Sequence, residues 1–452
     1  MKAKTFLALG AVAALTLIVT ACAPTATPAA TSGSTAATAP TTAASGPTAA
    51  GAPTAASSAA FTCTDKIGCI TIAPNDPVHI AYMLVTSGDN AVLGTDSKYG
   101  AQIAVDDHGG KVLGHTIQFD GQDEGCSADG GQNAATRIAA DKTVVAVIGT
   151  SCSSAAVPAI PIISAAGLTM ISPSATAVVL TDPAKHDPAF LRTAHNDSVQ
   201  GKVAAQFVYT QLKLTRAATI HDGSPYAEGL QQVFANTFKQ MGGTITDQEA
   251  INVGDRDMRP VLTKIAATHP QIIYFPIFIP EGGAIVAQAR SVPGLENTVL
   301  MSADGTFAPA FLKAAGPSSV GMFWSSPNYS AYTSAYPAFL AKYEKKYNVK
   351  EPLSTFHAQA YDAMNMILAA IEKVAVKEPD GTLHIGRQAL RDALYATKNF
   401  QGLTGTLTCN QYGDCADPHI AVYQETSALY SKGQTPSQPA WAPGGPNYQA
   451  PK

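Results

Sequence analysis

Charge is scarce in this chain and nowhere gathered. Lys, Arg, Asp and Glu make up 14% of the 452 residues, the net charge is −4 and no basic run occurs, which argues against a nucleic-acid partner. Catalytic signatures are missing as well: there is no HExxH, no GxSxG, no P-loop and no GxGxxG behind a strand. Ser, His and Asp gather near 191–197 and 221–224, but neither place has a base poised by an orienting acid. The chain reads as a non-enzyme, with a secreted hydrolase as the distant alternative. No CxxC pair or nearby Cys/His set offers a zinc site, so neither metal nor cofactor is expected. Aromatic content is modest and no signalling domain is present, so a receptor role would need a separate partner.

What is there begins with a leader. Lys2 and Lys4 precede an apolar stretch, 6–19, that is too short for a comfortable membrane span and has the build of a signal peptide over 1–21. It ends in Val19-Thr20-Ala21-Cys22, which resembles a bacterial lipobox; that resemblance implies cleavage before Cys22 and a lipid anchor on it. Residues 23–60 are almost purely Ala, Thr, Pro, Ser and Gly and cannot bury enough apolar surface to fold. With Cys22, the segment 22–61 is expected to be a disordered tether reaching roughly 35 Å from the membrane. The expected location is extracytoplasmic and membrane-anchored.

Cysteine usage agrees with an oxidising compartment. Setting Cys22 aside leaves six, for which fifteen pairings are possible. The simplest is Cys63 with Cys69, Cys126 with Cys152, and Cys409 with Cys415.

The folded part is organised around 144–159, VVAVIGTSCSSAAVPA. The β-branched run 144–148 is the signature of a strand buried on both faces. A tight turn follows, and Ser153 or Ser154 is a natural N-cap for the helix beyond. Strand, polar turn and helix N-terminus aim free N–H groups and hydroxyls at one spot, which suits a ligand carboxylate. A second hydroxyl loop, 172–176, follows another short strand. Around this centre lie expected strands at 78–85, 116–120 and 168–171 and helices at 97–107 and 128–141. A second series offers helices at 201–212 and 227–241 and strands at 217–221, 244–251, 271–275, 298–302 and 320–324. Two long helices, 335–347 and 355–374, and short strands at 405–407 and 420–423 complete it; the Pro- and Gly-rich tail is expected to be loose. This alternation is that of α/β layers with parallel sheets, whose ligands sit beyond the C-terminal strand ends.

Seven segments carry a family likeness in one order: IGTSCSSAAVPA at 148–159, MISPSATAVVLT at 170–181, LRTAHND at 191–197, IHDGSPYAEGL at 220–230, PEGGAIVAQAR at 280–290, MSADG at 301–305 and GTLTCNQYGD at 405–414. Residues 78–423 resemble the leucine/isoleucine/valine-binding proteins of branched-chain amino-acid ABC importers. The resemblance implies the type I periplasmic-binding-protein fold, two doubly wound α/β lobes joined by three crossovers, with the ligand cleft between them. Lobe one would be 62–195 plus 328–402, lobe two 196–327 plus 403–432, and 433–452 a loose tail. It also implies the Cys126–Cys152 disulfide, an ABC permease as partner and a monomeric chain. By the same likeness Ser153, Ser174 and Thr176 would hold a ligand carboxylate, Asp304 and Tyr226 its ammonium, and Leu93, Phe278 and Phe356 its side chain. Asp304 stands where leucine-binding members have Glu, Leu93 replaces an aromatic and Phe278 a tyrosine. The selected side chain is therefore open, and amides, urea-like compounds and aromatic acids stay as alternatives. From the residues alone, His195 and His221 look structural, and His357 a partly buried residue early in a helix.

Overall fold

The computed structural model describes residues 61–449; the leader, Cys22 and the expected tether up to residue 60 lie outside the described residues. Apolar β-branched runs build two six-stranded sheets. The first runs in the order Lys111–Val112, His115–Asp123, Val78–Leu84, Val144–Gly149, Met170–Ser172, Phe190–Arg192, all parallel except the first pair. Every residue of Val144–Gly149 is buried. Val145, Ala146 and Ile148 pack on the long helix His357–Val374, whereas Val144 and Val147 pack on the helix Ser153–Ala165. That two-sided burial is why the run reads as continuously apolar.

The second sheet runs Ile420–Gln424, Phe323–Pro327, Val299–Ala303, Ile272–Tyr274, Arg216–His221, Thr244–Ala250, with only the Ile420–Gln424 edge antiparallel. The chain leaves the first sheet after Arg192, builds five strands of the second, returns after Pro327 to lay the helices Tyr336–Tyr347 and His357–Val374 on the first half, and crosses again to add Ile420–Gln424. Helix Ala91–Asp107 lies so close to His357–Val374 that a Cβ on Gly100 would sit 1.9 Å from the His357 carbonyl oxygen. The sulfurs of Cys63 and Cys69, Cys126 and Cys152, and Cys409 and Cys415 are joined.

Several expectations are corrected. The helix at 97–107 begins already at Ala91, and the one at 201–212 begins at Asp197, capped by the Asn196 side chain on Ser198 N–H. The strand at 320–324 slides to Phe323–Pro327, because Gly321, at φ 88°, makes a turn of the preceding residues. Helices Arg259–Ala266, Ile279–Ala289 and Pro309–Ala315 were not foreseen; each carries Pro in its first turn, where proline starts a helix rather than breaking one. The tail is not loose. Trp441 is buried and bridges Val422, and Tyr448 packs edge-on against Phe207 and Phe323 while donating to Gln424 at 2.7 Å. Its aromatic residues give it apolar surface to bury, which the Pro and Gly content hides.

Candidate functional site

The C-terminal ends of both sheets meet at a narrow cleft. Leu93, Ser153, Ser174, Tyr226, Asp304, Phe278 and Phe356 all line it, together with Ser151, Cys152 and Gly305. Seven of the eight residues expected at the ligand are thus brought together; Thr176 lies behind them, buried, beside Asp197. The free space is about 20 Å³, room for a single water, so any larger ligand must part the two faces.

The first-sheet face is built of serine hydroxyls bonded to the backbone of the surrounding loops. Neither Ser153 nor Ser154 caps the helix. Cys152 holds the cap position and offers no side-chain acceptor, so the first N–H groups of the helix stay uncapped toward the cleft. Ser153 Oγ instead accepts from Ala177 N at 3.2 Å, and Ser154 Oγ donates to the Cys126 carbonyl at 3.0 Å. Ser174 Oγ donates to Ser151 O at 2.9 Å, and Ser172 Oγ accepts from Ser174 N and Ala175 N while donating to Thr150 O at 2.7 Å. The two hydroxyl loops are thus laced together, and the buried Glu124 accepts from Cys152 N at 3.2 Å on the same turn.

Arg192 holds that surface from behind. Fully buried, it donates from Nη1 to the carbonyls of Ala175 and Ala177 at 3.1 and 2.9 Å, from Nη2 to Thr181 at 2.6 Å and from Nε to Asp414 at 2.6 Å. Asp414 belongs to the loop closed by Cys409 and Cys415. The Arg192 role was missed; a lone arginine in the short buried strand Phe190–Arg192 was the available signal.

The second-sheet face is ionisable. Asp304, 3% exposed, accepts from Gln200 Nε2 at 2.5 Å and from the Tyr226 hydroxyl at 3.2 Å. Tyr226 also accepts from Gly305 N at 3.2 Å; a Cβ on Gly305 would stand 2.7 Å from the Ile277 carbonyl oxygen, so the close approach needs glycine. Gln200 bonds His195 at 2.6 Å and the Ser325 carbonyl at 3.0 Å. Beside Asp304 lies Asp197, fully buried, with the Thr176 hydroxyl next to its carboxyl and no cationic side chain paired with it among the described residues. The hydroxyls of Thr176 and Tyr274 have no partner among the described residues.

Burial raises the Asp304 carboxyl above its usual range, with His195, Gln200 and Tyr226 opposing. Burial, then repulsion from Asp304, pushes Asp197 up further still, and the same two causes raise Tyr226. Burial lowers His195, so its imidazole is neutral at pH 7. His195, Asp197 and Gln200 stand behind the cleft wall around Asp304 rather than lining it; His195, buried and bonded to Gln200, is structural as its sequence suggests, and the other two were not singled out. His357 is wholly rather than partly buried, between Asp96 at 3.1 Å and the Tyr336 hydroxyl at 2.8 Å. The apolar wall consists of Leu93, Phe278 tilted against Tyr226 and Phe356 stacked on His195. Among the described residues no group of three or more His, Cys, Asp and Glu is arranged to hold a metal.

Comparison with known proteins bears on this arrangement. Residues 77–421 match a family model described as periplasmic binding protein. A leucine-, isoleucine-, valine-, threonine- and alanine-binding protein of Pseudomonas aeruginosa is 28% identical over 351 residues, 77% of this chain and 90% of its own. Among solved structures, a branched-chain amino acid transporter substrate binding protein of Streptococcus pneumoniae, in complex with isoleucine, superposes with a TM-score of 0.69 at 26% identity, covering 80% of this chain and 98% of that one. A solute binding protein of an ABC transporter from R. palustris, in complex with benzoate, shares the fold, with a TM-score of 0.67 at 20% identity over 81% of this chain and 98% of that one.

Proposed function

We propose, since the chain belongs to the periplasmic binding protein family, that it captures a small α-amino acid with an apolar side chain and hands it to an ABC permease. The observation that carries this reading is the opposition of the two cleft faces: uncapped helix N–H groups and serine hydroxyls on one side, the buried Asp304–Asp197 pair on the other. A carboxylate suits the first face, and an ammonium suits the second, since buried carboxyls without full partners favour an arriving cation. Leu93, Phe278 and Phe356 would cover an aliphatic or aromatic side chain. In this reading Ser153, Ser174 and the helix N-terminus hold the carboxylate, Thr176 backs the cleft beside Asp197, and Asp304 with Tyr226 receives the ammonium.

Binding then works through the hinge. The ligand shifts an open-to-closed equilibrium only by its preference for the closed form, and the permease would recognise the closed outline. The sequence of residues 1–22 supports a lipid anchor at Cys22, which incorporation of labelled palmitate into the wild type and its loss in Cys22→Ser would test.

A thermal-shift comparison of leucine, isoleucine and valine with 4-methylpentanoate, benzoate, acetamide and urea separates the readings. A ligand of the native state raises the melting temperature with occupancy. The expected result is a rise with an α-amino acid and none with 4-methylpentanoate, which has leucine's carboxylate and side chain but no ammonium. A rise with benzoate or 4-methylpentanoate alone would leave a solute-binding protein for aromatic or aliphatic acids and remove the ammonium site.

A further inference from the structure

A second cavity, of about 450 Å³, lies on the far side of the cleft's inner wall. Two short segments separate the two spaces: Asp304 and Phe356 face the cleft, whereas Phe307 and Ser354 face the cavity, and Thr355 Oγ1 joins the segments by donating to the Phe307 carbonyl at 3.3 Å. Helix Tyr336–Tyr347 and the turn after it form one side, and residues 434–438 of the C-terminal segment form the other. The volume falls within the range of small-molecule pockets, roughly 300–1,000 Å³.

Its chemistry is that of an acceptor. The rings of Tyr329, Tyr336 and Phe307 give it aromatic walls. Ser354 is 4% exposed, lines the cavity, and its hydroxyl has no hydrogen-bond partner among the described residues. Glu351 Oε2 accepts from Thr435 N at 3.2 Å and Thr435 Oγ1 at 3.0 Å, which fixes the carboxyl at the cavity wall, while Oε1 receives no hydrogen bond among the described residues. Glu344 adds a second carboxyl against the single cation Lys350, and none of these three forms an ion pair among the described residues. Burial raises the Glu351 carboxyl, as expected for an acid lacking a cationic partner.

We propose that this cavity is a second binding site, for a primary amine carrying an apolar body, with Glu351 Oε1 and Ser354 Oγ receiving the ammonium and the aromatic rings the body. An ammonium supplies the donors that the two oxygens lack, and aromatic faces attract the cation. The site is independent of what the cleft binds.

The test uses 2-phenylethylamine and thermal shift on the full chain. The amine is expected to raise the melting temperature of wild type and of Asp304→Asn alike, since that variant alters only the cleft acid. Glu351→Gln, which keeps an acceptor for Thr435, should weaken the effect about tenfold in concentration, and Leu429→Trp, which fills the cavity from its partly exposed side, should abolish it. No shift in wild type, a shift lost in Asp304→Asn, or a shift retained in Leu429→Trp would each overturn the proposal; the amine would then be unbound, in the cleft, or elsewhere. Amino-acid binding at the cleft is scored separately with leucine, so failure of one site does not imply failure of the other.

Discussion

The two faces of the cleft solve opposite problems in opposite ways. On the first-sheet side Ser151, Ser153, Ser172 and Ser174 are locked by hydrogen bonds to the loops themselves, and Arg192 ties the 175–177 carbonyls from behind. On the second-sheet side Asp304 and Asp197 are buried together and raised by burial, and among the described residues Asp197 has no cationic partner. An anion site can be preorganised from neutral dipoles at little cost, because each dipole also serves the fold. A cation site cannot be made that way. Under the proposed function its acids would stay incompletely satisfied until a cation arrives, and specificity for a charged amine would be concentrated in a few groups.

The largest test removes the charge. Asp304→Asn should weaken amino-acid binding about a hundredfold, roughly 3 kcal/mol, with the melting temperature unchanged or higher, since a buried acid has been neutralised; calorimetric titration and a melting curve read both. Equal affinity would locate the ammonium elsewhere. Arg192→Met should act on the opposite face, lowering stability by about 3 kcal/mol and binding about tenfold through the freed 175–177 loop, measured by urea unfolding and titration. Asp362 is a control among buried acids. It accepts from Leu403 N at 2.7 Å, Thr404 N at 3.0 Å and Thr404 Oγ1 at 2.7 Å, yet burial still lifts it from 3.8 to about 6. A raised acid favours the folded state when protonated. Its burial therefore costs nothing below about pH 4 and about 3 kcal/mol once the pH has passed 6, and the fall in melting temperature across that interval should flatten in Asp362→Asn. Affinity has the reverse sign: an ammonium binds the ionised Asp304, whose carboxyl burial raises above its usual range, so amino-acid affinity should drop as acidification protonates it, by at most tenfold per pH unit for one proton. The smallest effect is expected at Ser153→Ala, a loss of about 1 kcal/mol, because the helix N–H groups remain.

This asymmetry also explains what the sequence disclosed. The hydroxyl loops were legible because strand, serine turn and helix follow one another locally, although which serine caps the helix was not: Ser153 turns to Ala177, on a loop two dozen residues away. Asp304, Tyr226, Phe278 and Phe356 came only through family likeness, since they are far apart in the chain and meet by folding. Asp197, Gln200 and Arg192 were hidden for a different reason. A buried polar side chain looks in sequence like an exposed one, and only its partners reveal it. Proline misled twice, as a helix start mistaken for loop and as a tail mistaken for slack.

The three passages of the chain between its halves have a consequence for biosynthesis. The first sheet is covered by His357–Val374, and the second receives its edge strand only at Ile420–Gln424, with Trp441 closing over Val422 beyond it. A chain made from its N-terminus therefore holds neither half complete until its closing segment has emerged. The contacts that close both halves thus join segments far apart in the chain, and closing such long loops slows folding relative to local contacts.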